Sequence, residues 1–198
     1  MPRPRKYDES TRDLLIEQAA AVIAQAGTEA VALRPLARAC GCTTTTIYTL
    51  FGGRDHLIEA VTSSVTESFT ASQQGVPRTS DPLSDLRALG LAYRAWALEH
   101  PAFYAVMFGD RKQTSDQRPA FGQPGAAIEP LIDAVQRSLS LFPTSAGTTE
   151  QISTSIWAGV HGWTTLELAG MTPQGPRRSV AAYYAHLDSI VRAWFPHS

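Results

Sequence analysis

A candidate functional segment lies between Val31 and Phe51. Two short helical patterns meet there across a tight turn at Gly41, and Thr43 is placed to cap the second helix with its hydroxyl group. This layout is typical of a helix-turn-helix, whose second helix enters the major groove of DNA by its N-terminal end. Similar helical hairpins also serve as plain packing units, so the segment by itself leaves both interpretations open.

The apolar and small residues of this segment are expected to form a shared core. They are Leu36, Ala37, Cys40, Cys42 and Ile47. The chain has only these two cysteines, so no second pair is present to complete a metal site. A free cysteine usually behaves as a small buried hydrophobe, and we favour core packing over a redox switch or half of a soft-metal site.

Arrangements typical of catalysis are missing from the rest of the sequence. The five histidines show neither a tight cluster nor the one-turn spacing of a metal-binding pair. No Ser/His/Asp arrangement, phosphate-cradling glycine loop or paired-carboxylate motif occurs. We therefore predict that the protein is not an enzyme and binds neither a metal nor a cofactor.

Composition narrows the class of protein further. The 198 residues are 43% hydrophobic, which is enough to fill a core and excludes wholesale disorder. The longest stretch without Asp, Glu, Lys or Arg, residues 151–166, contains serine, threonine, histidine and glycine and is no membrane span. The charged N-terminus is unlike a signal peptide. We expect a soluble cytoplasmic protein.

The elements that must position these residues are helices, because apolar residues recur at helical spacing and two-residue alternation is absent. The sequence predicts an all-α protein with a helix-turn-helix domain at residues 10–70, the motif itself at about 33–51, and a helical bundle at 80–198. The predicted helices span residues 10–26, 33–40, 43–51, 54–69, 81–100, 102–108, 126–141, 148–171 and 177–195.

Two sets of motifs resemble a known family. Over about residues 10–70, the chain is similar to the tetracycline-repressor (TetR) family of bacterial regulators, through Leu36-Ala37-x-x-Cys40-Gly41-Cys42-Thr43 and Ile47-Tyr48-x-x-Phe51-x-x-Arg54-Asp55-x-Leu57. Further on, His100-Pro101-Ala102-Phe103-Tyr104 and Trp157-x-x-x-His161-Gly162 resemble a C-terminal domain type named for its Trp-His-Gly pattern. The resemblance implies a homodimer on a palindromic operator and a C-terminal bundle that binds a small effector and dimerises.

The resemblance also implies which residues contact DNA. They are Arg34, Thr43, Thr44, Thr45, Thr46, Tyr48, Thr49 and Arg54. The threonines from Thr44 onward and Tyr48 are expected on the exposed face of the recognition helix, and Arg54 aligns with a residue that clamps phosphate. Arg3, Arg5, Lys6 and Arg12 are expected to add a basic arm along the DNA backbone.

The chain departs from the family pattern at three places. Ala32 stands where a Ser or Thr cap is usual, and Gly52-Gly53 replaces a common polar pair. The recognition helix also lacks Arg, Lys, Asn and Gln, which make the strongest two-bond contacts to bases. We therefore expect modest base discrimination from this helix, with Arg34 and DNA shape supplying more.

The C-terminal bundle holds two further predicted sites. An effector pocket is predicted from aromatic and neighbouring side chains, which can equally be core: Trp96, Phe103, Tyr104, Met107, Phe108, Phe121, Trp157 and His161. For His161, a polar anchor for the effector and a structural hydrogen bond both stay open. A dimer interface is predicted from residues of the last two long helices: Ile152, Ile156, Gly159, Val160, Trp163, Tyr184, Leu187 and Val191.

The distribution of charge agrees with a DNA-binding N-terminus. Residues 1–54 hold seven basic and five acidic side chains, whereas residues 55–198 hold ten basic and thirteen acidic ones. Our primary hypothesis is a dimeric transcriptional regulator, a repressor released from its operator by a small molecule. The alternative is a helical small-molecule carrier or enzyme whose N-terminal hairpin is only structural, and it predicts no salt-dependent affinity for DNA.

Overall fold

The computed structural model describes residues 9–109, 127–143, 146–172 and 176–196. Within these ranges the chain forms helices and no strand, which confirms the all-α prediction. The α-helices are α1 (Glu9–Ala26), α2 (Leu33–Ala39), α3 (Thr44–Phe51), α4 (Arg54–Gln74), α5 (Pro82–Glu99), α6 (Pro101–Phe108), α7 (Glu129–Leu141), α8 (Thr149–Leu168) and α9 (Pro176–Trp194), with a 3-10 turn at Thr28–Ala30.

Three helix boundaries differ by three residues or more from those predicted. Helix α4 continues past residue 69 to Gln74, beyond the end of the predicted helix-turn-helix domain at residue 70. Helix α7 starts at Glu129 rather than 126, with a proline in its first turn. Helix α8 ends at Leu168, because Gly170 takes a left-handed conformation (φ 70°) and Met171 N–H bonds back to Leu166 O at 2.9 Å.

The described residues divide into two compact units. Unit 1 comprises residues 9–68 and 100–109, and unit 2 comprises residues 69–99, 127–143, 146–172 and 176–196. Helix α6 therefore clusters with the N-terminal helices, although the sequence places it in the C-terminal bundle. Its Val106 is buried in the core of unit 1, where α6 packs on α1.

The core of unit 1 holds the helix-turn-helix together. Helix α1 buries five apolar side chains, among them Leu15, Ile16 and Ile23, whereas Leu14 is 39% exposed. Helices α2 and α3 add Leu36, Ala37 and Ile47, and α4 adds apolar side chains spaced one turn apart. Burial of this apolar area fixes the short helices, which are too short to be stable alone.

Cys40 and Cys42 are half-buried and pack against this core as free thiols. Burial raises the pKa of both thiol groups, and the neighbouring Cys42 raises that of Cys40 further. A raised pKa lowers the thiolate fraction at neutral pH, so both side chains suit packing better than redox chemistry.

Unit 2 is built around α5, which packs on α7, α8 and α9, while α8 also packs on α7 and α9. Helix α5 begins at Pro82, one residue from the predicted start, because the Asp81 carboxylate accepts hydrogen bonds from the N–H groups of Leu83 and Ser84. Among the helices of the described ranges, none combines the length and hydropathy needed to cross a membrane.

Candidate nucleic-acid interface

Both ends of α3 are fixed by local hydrogen bonds. At its start the Thr43 hydroxyl accepts from Thr46 N–H (3.2 Å) and the Thr46 hydroxyl accepts from Thr43 N–H (3.4 Å), a reciprocal capping box. At its end Gly52 adopts the left-handed conformation (φ 83°), and its N–H bonds to Tyr48 O at 2.9 Å. The predicted cap at Thr43 is therefore present, and α3 is a defined helix of eight residues.

The expectation that Thr46 lies on the exposed face of the recognition helix is wrong. Its side chain is only 1% exposed, because its hydroxyl group takes part in the capping box. The helical spacing also puts Thr46 beside Ile47 on the face that packs on the core. Thr46 therefore holds the start of α3 in shape and has no surface to offer to DNA.

Four side chains remain on the outer side of α3, and we call them the reading face: Thr44, Thr45, Tyr48 and Thr49. Thr45, Tyr48 and Thr49 are exposed and Thr44 is half-buried. Tyr48 is 57% exposed, and its ring lies next to Gly53, where an added Cβ would meet Tyr48 Cε1 at 3.7 Å. The reading face thus presents hydroxyl and methyl groups and one phenol, without a charge.

Positive charge is supplied by α2 instead. Arg34 and Arg38 are exposed and lie one turn apart, and neither forms a salt bridge with a carboxylate among the described residues. In unit 2, by contrast, every arginine whose side chain is described is paired with a carboxylate. Arg38 is not among the residues predicted to contact DNA, although its four-residue spacing from Arg34 places it on the same side of α2.

Arg54 makes its hydrogen bonds inside unit 1. Its Nε donates to Val31 O at 2.9 Å and one terminal nitrogen donates to Thr28 O at 2.6 Å. The other terminal nitrogen bonds to Asp55 at 3.1 Å. With its side chain 33% exposed, Arg54 ties the start of α4 to the segment before α2.

The N-terminal arm is described only in part. Arg12 on α1 is exposed and lies over the Phe51 ring, with its guanidinium carbon 5.5 Å from the ring centre. The predicted arm residues Arg3, Arg5 and Lys6 lie outside the described residues. Arg12 therefore packs against the end of α3 and adds charge beside it.

Two family models match this chain. The model described as "Bacterial regulatory proteins, tetR family" matches residues 15–61, which contain α2 and α3. The model described as "Tetracyclin repressor-like, C-terminal domain" matches residues 86–190, more than half of the chain. The chain belongs to the TetR family. It is a DNA-binding transcriptional regulator with an N-terminal helix-turn-helix.

Solved structures share the fold of this TetR regulator. A protein of unknown function from Rhodococcus sp. RHA1 is 22% identical with a TM-score of 0.73, over 98% of this chain and 100% of that one. The TetR family transcriptional regulator PfmR from Thermus thermophilus is 18% identical (TM-score 0.69, 90% and 97% covered). A TetR family regulator from Marinobacter aquaeolei VT8 is 19% identical (TM-score 0.69, 93% and 97% covered). No curated protein sequence matches this chain.

The predicted effector-pocket residues of the TetR regulator fall into both units. Phe103, Tyr104, Met107 and Phe108 belong to α6 in unit 1, where Phe103 and Met107 pack against the helix-turn-helix core. Trp96, Trp157 and His161 belong to unit 2, and Phe121 lies outside the described residues.

Within unit 2, the aromatic residues form a connected group. The Phe69 ring lies 5.3 Å from Tyr93 and 4.8 Å from Trp96, and the Trp157 ring lies 6.3 Å from His161. The Tyr93 hydroxyl and His161 Nδ1 are 2.9 Å apart and share a hydrogen bond. Burial lowers the pKa of His161, so the ring is neutral at neutral pH.

Most of the predicted dimer residues cannot form an interface, because they are buried inside one chain. Ile152, Ile156, Val160, Leu187 and Val191 are at most 3% exposed and form the core between the helices of unit 2. Gly159, expected to admit a helix of a second copy, instead admits α9 of its own chain, since a Cβ there would collide with Ile190. Trp163 stacks on His186 at 4.9 Å, also within the chain. Of the eight, Tyr184 is clearly exposed, at 48%.

Unit 2 also contains a cleft of about 320 Å³ between the α4–α5 connection, α5 and α7. Four of its charged side chains are paired with one another: Arg137 with Asp85 and Asp133, and Arg78 with Asp133. Burial would raise the pKa of Asp85, but hydrogen bonds from Thr79 and Arg137 outweigh it and hold the pKa below its ordinary value. The cluster fastens the α4–α5 connection to α7.

Proposed function

We propose that this TetR regulator binds a palindromic operator as a homodimer, represses transcription there, and is released by a small effector bound in unit 2. The DNA-binding site is inferred from a difference between the arginine side chains of the two units. The arginines of α2 are exposed without carboxylate partners among the described residues, whereas the described arginine side chains of unit 2 are paired. Unpaired guanidinium groups beside a helix of hydroxyl groups suit a polyanion.

Helices α2 and α3 of the motif have different roles in DNA binding. Arg34 and Arg38 neutralise backbone phosphates, which supplies affinity without regard to sequence. Thr44, Thr45, Tyr48 and Thr49 enter the major groove and contact phosphate and base edges. Arg54 contributes by positioning, because its guanidinium group is held by Val31 O and Thr28 O.

Dimerisation is proposed through the outer surface of α8 and α9. Several exposed residues there are small, including Ala158, Ala185 and Ala193, and Gly162 has open space where a Cβ would stand. Small side chains let a second helix approach closely, and Val180 and Tyr184, 42% and 48% exposed, supply apolar area. A twofold axis of this kind would match the symmetry of a palindromic operator.

The effector is proposed to bind beside the aromatic group of unit 2. Trp157 and His161 are half-buried and lie beside the buried Tyr93 and Trp96, and they offer apolar surface with a neutral polar group, which suits an uncharged, partly aromatic molecule. Helix α4 contributes its first residues to unit 1 and its last to unit 2. A ligand that favours one position of α4 would then change the affinity for DNA. The regulator would act in the cytoplasm, where the chromosome lies.

The test selects operator DNA from a pool of random duplexes with the full-length protein and then measures affinity at several salt concentrations. We expect the logarithm of affinity to fall linearly with the logarithm of salt, with two chains bound to each palindromic duplex. Arg34→Ala and Arg38→Ala should each lower the salt slope by about 2, because each removes one phosphate contact from both chains on the duplex, and Tyr48→Phe should weaken binding without changing the slope.

The matched control is Arg78→Ala, which removes the same charge from an exposed position of unit 2. It should leave the affinity for DNA and its salt slope unchanged. If Arg34→Ala and Tyr48→Phe both bind with wild-type affinity, the site assignment is wrong. If no duplex is retained at low salt, the proposal fails in favour of the carrier or enzyme, and one chain per duplex would contradict the dimer.

A further inference from the structure

The hydroxyl groups of the reading face are not equivalent. Thr49 donates a hydrogen bond from Oγ1 to Thr45 O, one turn earlier in α3, at 2.8 Å. Thr44 and Thr45 lie in the first turn, and their hydroxyl groups form no hydrogen bond with another described residue. The hydroxyl protons of Thr44 and Thr45 are therefore available to an external acceptor, whereas the hydroxyl proton of Thr49 already bonds to Thr45 O.

What Thr49 still offers to solvent is mainly its methyl group. A hydroxyl group has one proton, and in Thr49 that proton bonds to the backbone of α3. The residue is exposed, and it lies one turn beyond Thr45 on the same side of the helix. The second turn of the reading face is thus less polar than the first, apart from the neighbouring Tyr48 hydroxyl.

In the major groove, the apolar feature that distinguishes one base from the others is the C5-methyl group of thymine. We propose that Thr49 reads a thymine in each operator half-site by placing its methyl group against that C5-methyl group. The inference rests on the proposed DNA-binding function of α3. It makes Thr49 a specificity-determining residue in a helix without the side chains that form two hydrogen bonds to a base.

The expected size of the effect is that of one methyl group removed from water. Burial of one such group corresponds to about fourfold in Kd, or about 0.8 kcal/mol. The hydrogen bond from Thr49 to Thr45 O also predicts which group of the Thr49 side chain contributes to DNA binding. Loss of the methyl group should weaken binding, whereas loss of the hydroxyl group should not.

The experiment uses the duplex selected by the protein and replaces its thymines one at a time by deoxyuridine, which lacks only the C5-methyl group. Wild-type protein should show one thymine per half-site whose replacement raises Kd about fourfold. Thr49→Val keeps the methyl group without the hydroxyl group and should show the same sensitivity. Thr49→Ser keeps the hydroxyl group without the methyl group and should bind both duplexes equally. Circular dichroism of each variant checks that the protein is folded.

Three outcomes overturn the inference while leaving DNA binding intact. Wild-type protein bound equally well by every deoxyuridine duplex would show that no thymine methyl group is read. If Thr49→Ser is as sensitive to deoxyuridine as the wild-type protein, another residue contacts the thymine methyl group. A loss of affinity for the original duplex in Thr49→Val but not in Thr49→Ser would mean that the hydroxyl group makes the contact. A protein that retains no duplex overturns the proposed function itself, and this inference with it.

Discussion

At the scale of single residues, the positive groups of unit 1 have two different roles. Arg34 is exposed and has no carboxylate partner among the described residues, whereas Arg54 donates to Val31 O and Thr28 O. Because family resemblance assigns both residues to DNA, only their hydrogen bonds distinguish a residue that binds from one that positions. Removal of each side chain should therefore affect different properties.

We expect Arg54→Ala to lower the free energy of unfolding by about 2 kcal/mol, because two backbone carbonyl groups lose a charged donor. Arg34→Ala should leave the free energy of unfolding within about 0.5 kcal/mol of wild type and weaken DNA binding. Urea unfolding followed by circular dichroism measures the first quantity and duplex binding the second. Equal stability of the two variants would contradict the positioning role of Arg54.

At the scale of helices, unit 2 is joined across α5, α8 and α9 by a buried ion pair. Arg94 forms two hydrogen bonds with the Glu167 carboxylate, at 2.7 and 2.5 Å, and Ser179 of α9 donates to the same carboxylate. Both charged side chains are nearly buried, at 12% and 11% exposure. The hydrogen bonds from Arg94 and Ser179 outweigh burial and lower the pKa of Glu167.

Arg94→Ala should destabilise the protein by about 3–5 kcal/mol, because it leaves the Glu167 carboxylate buried without its cation. The exposed pair of Arg78 and Asp133 is the comparison, since Arg78 is 66% exposed. Arg78→Ala should cost less than about 1 kcal/mol. Both values come from denaturant unfolding, and a cost for Arg94→Ala as small as that for Arg78→Ala would show that the buried pair adds little.

At the scale of the whole molecule, lowering the pH should reduce the stability of the protein in two separate pH ranges. Burial lowers the pKa of His161 below its ordinary 6.5, so the unfolded chain takes up this proton first and stability falls as the pH drops below 6.5. Asp85, Asp133 and Glu167 have lowered pKa values, held down by hydrogen bonds from Thr79 and Arg137 at Asp85, from Arg78 and Arg137 at Asp133, and from Arg94 and Ser179 at Glu167. Their stabilisation is complete above the ordinary values of 3.8 and 4.5 and is lost as the pH falls below them.

A series of melting temperatures between pH 8 and pH 3 should therefore show a first decline below pH 6.5 and a steeper one below about pH 4.5. His161→Gln cannot gain this proton and should lose the first decline while keeping the second. A first decline of wild-type size in His161→Gln would mean that another group causes it.

Features that depend on local physics could be predicted from the amino-acid sequence. Helical periodicity, the Thr43 cap and the Asp81-Pro82 start each depend on residues a few positions apart, so the all-α fold and most helix bounds followed from them. The family resemblance added the role of α3. The buried side of each helix could not be predicted in this way, because helices such as α8 carry two apolar sides and either can face the core. Tertiary packing selects one of the two sides. The same holds for Arg54, whose acceptors Val31 O and Thr28 O lie more than twenty residues away along the chain.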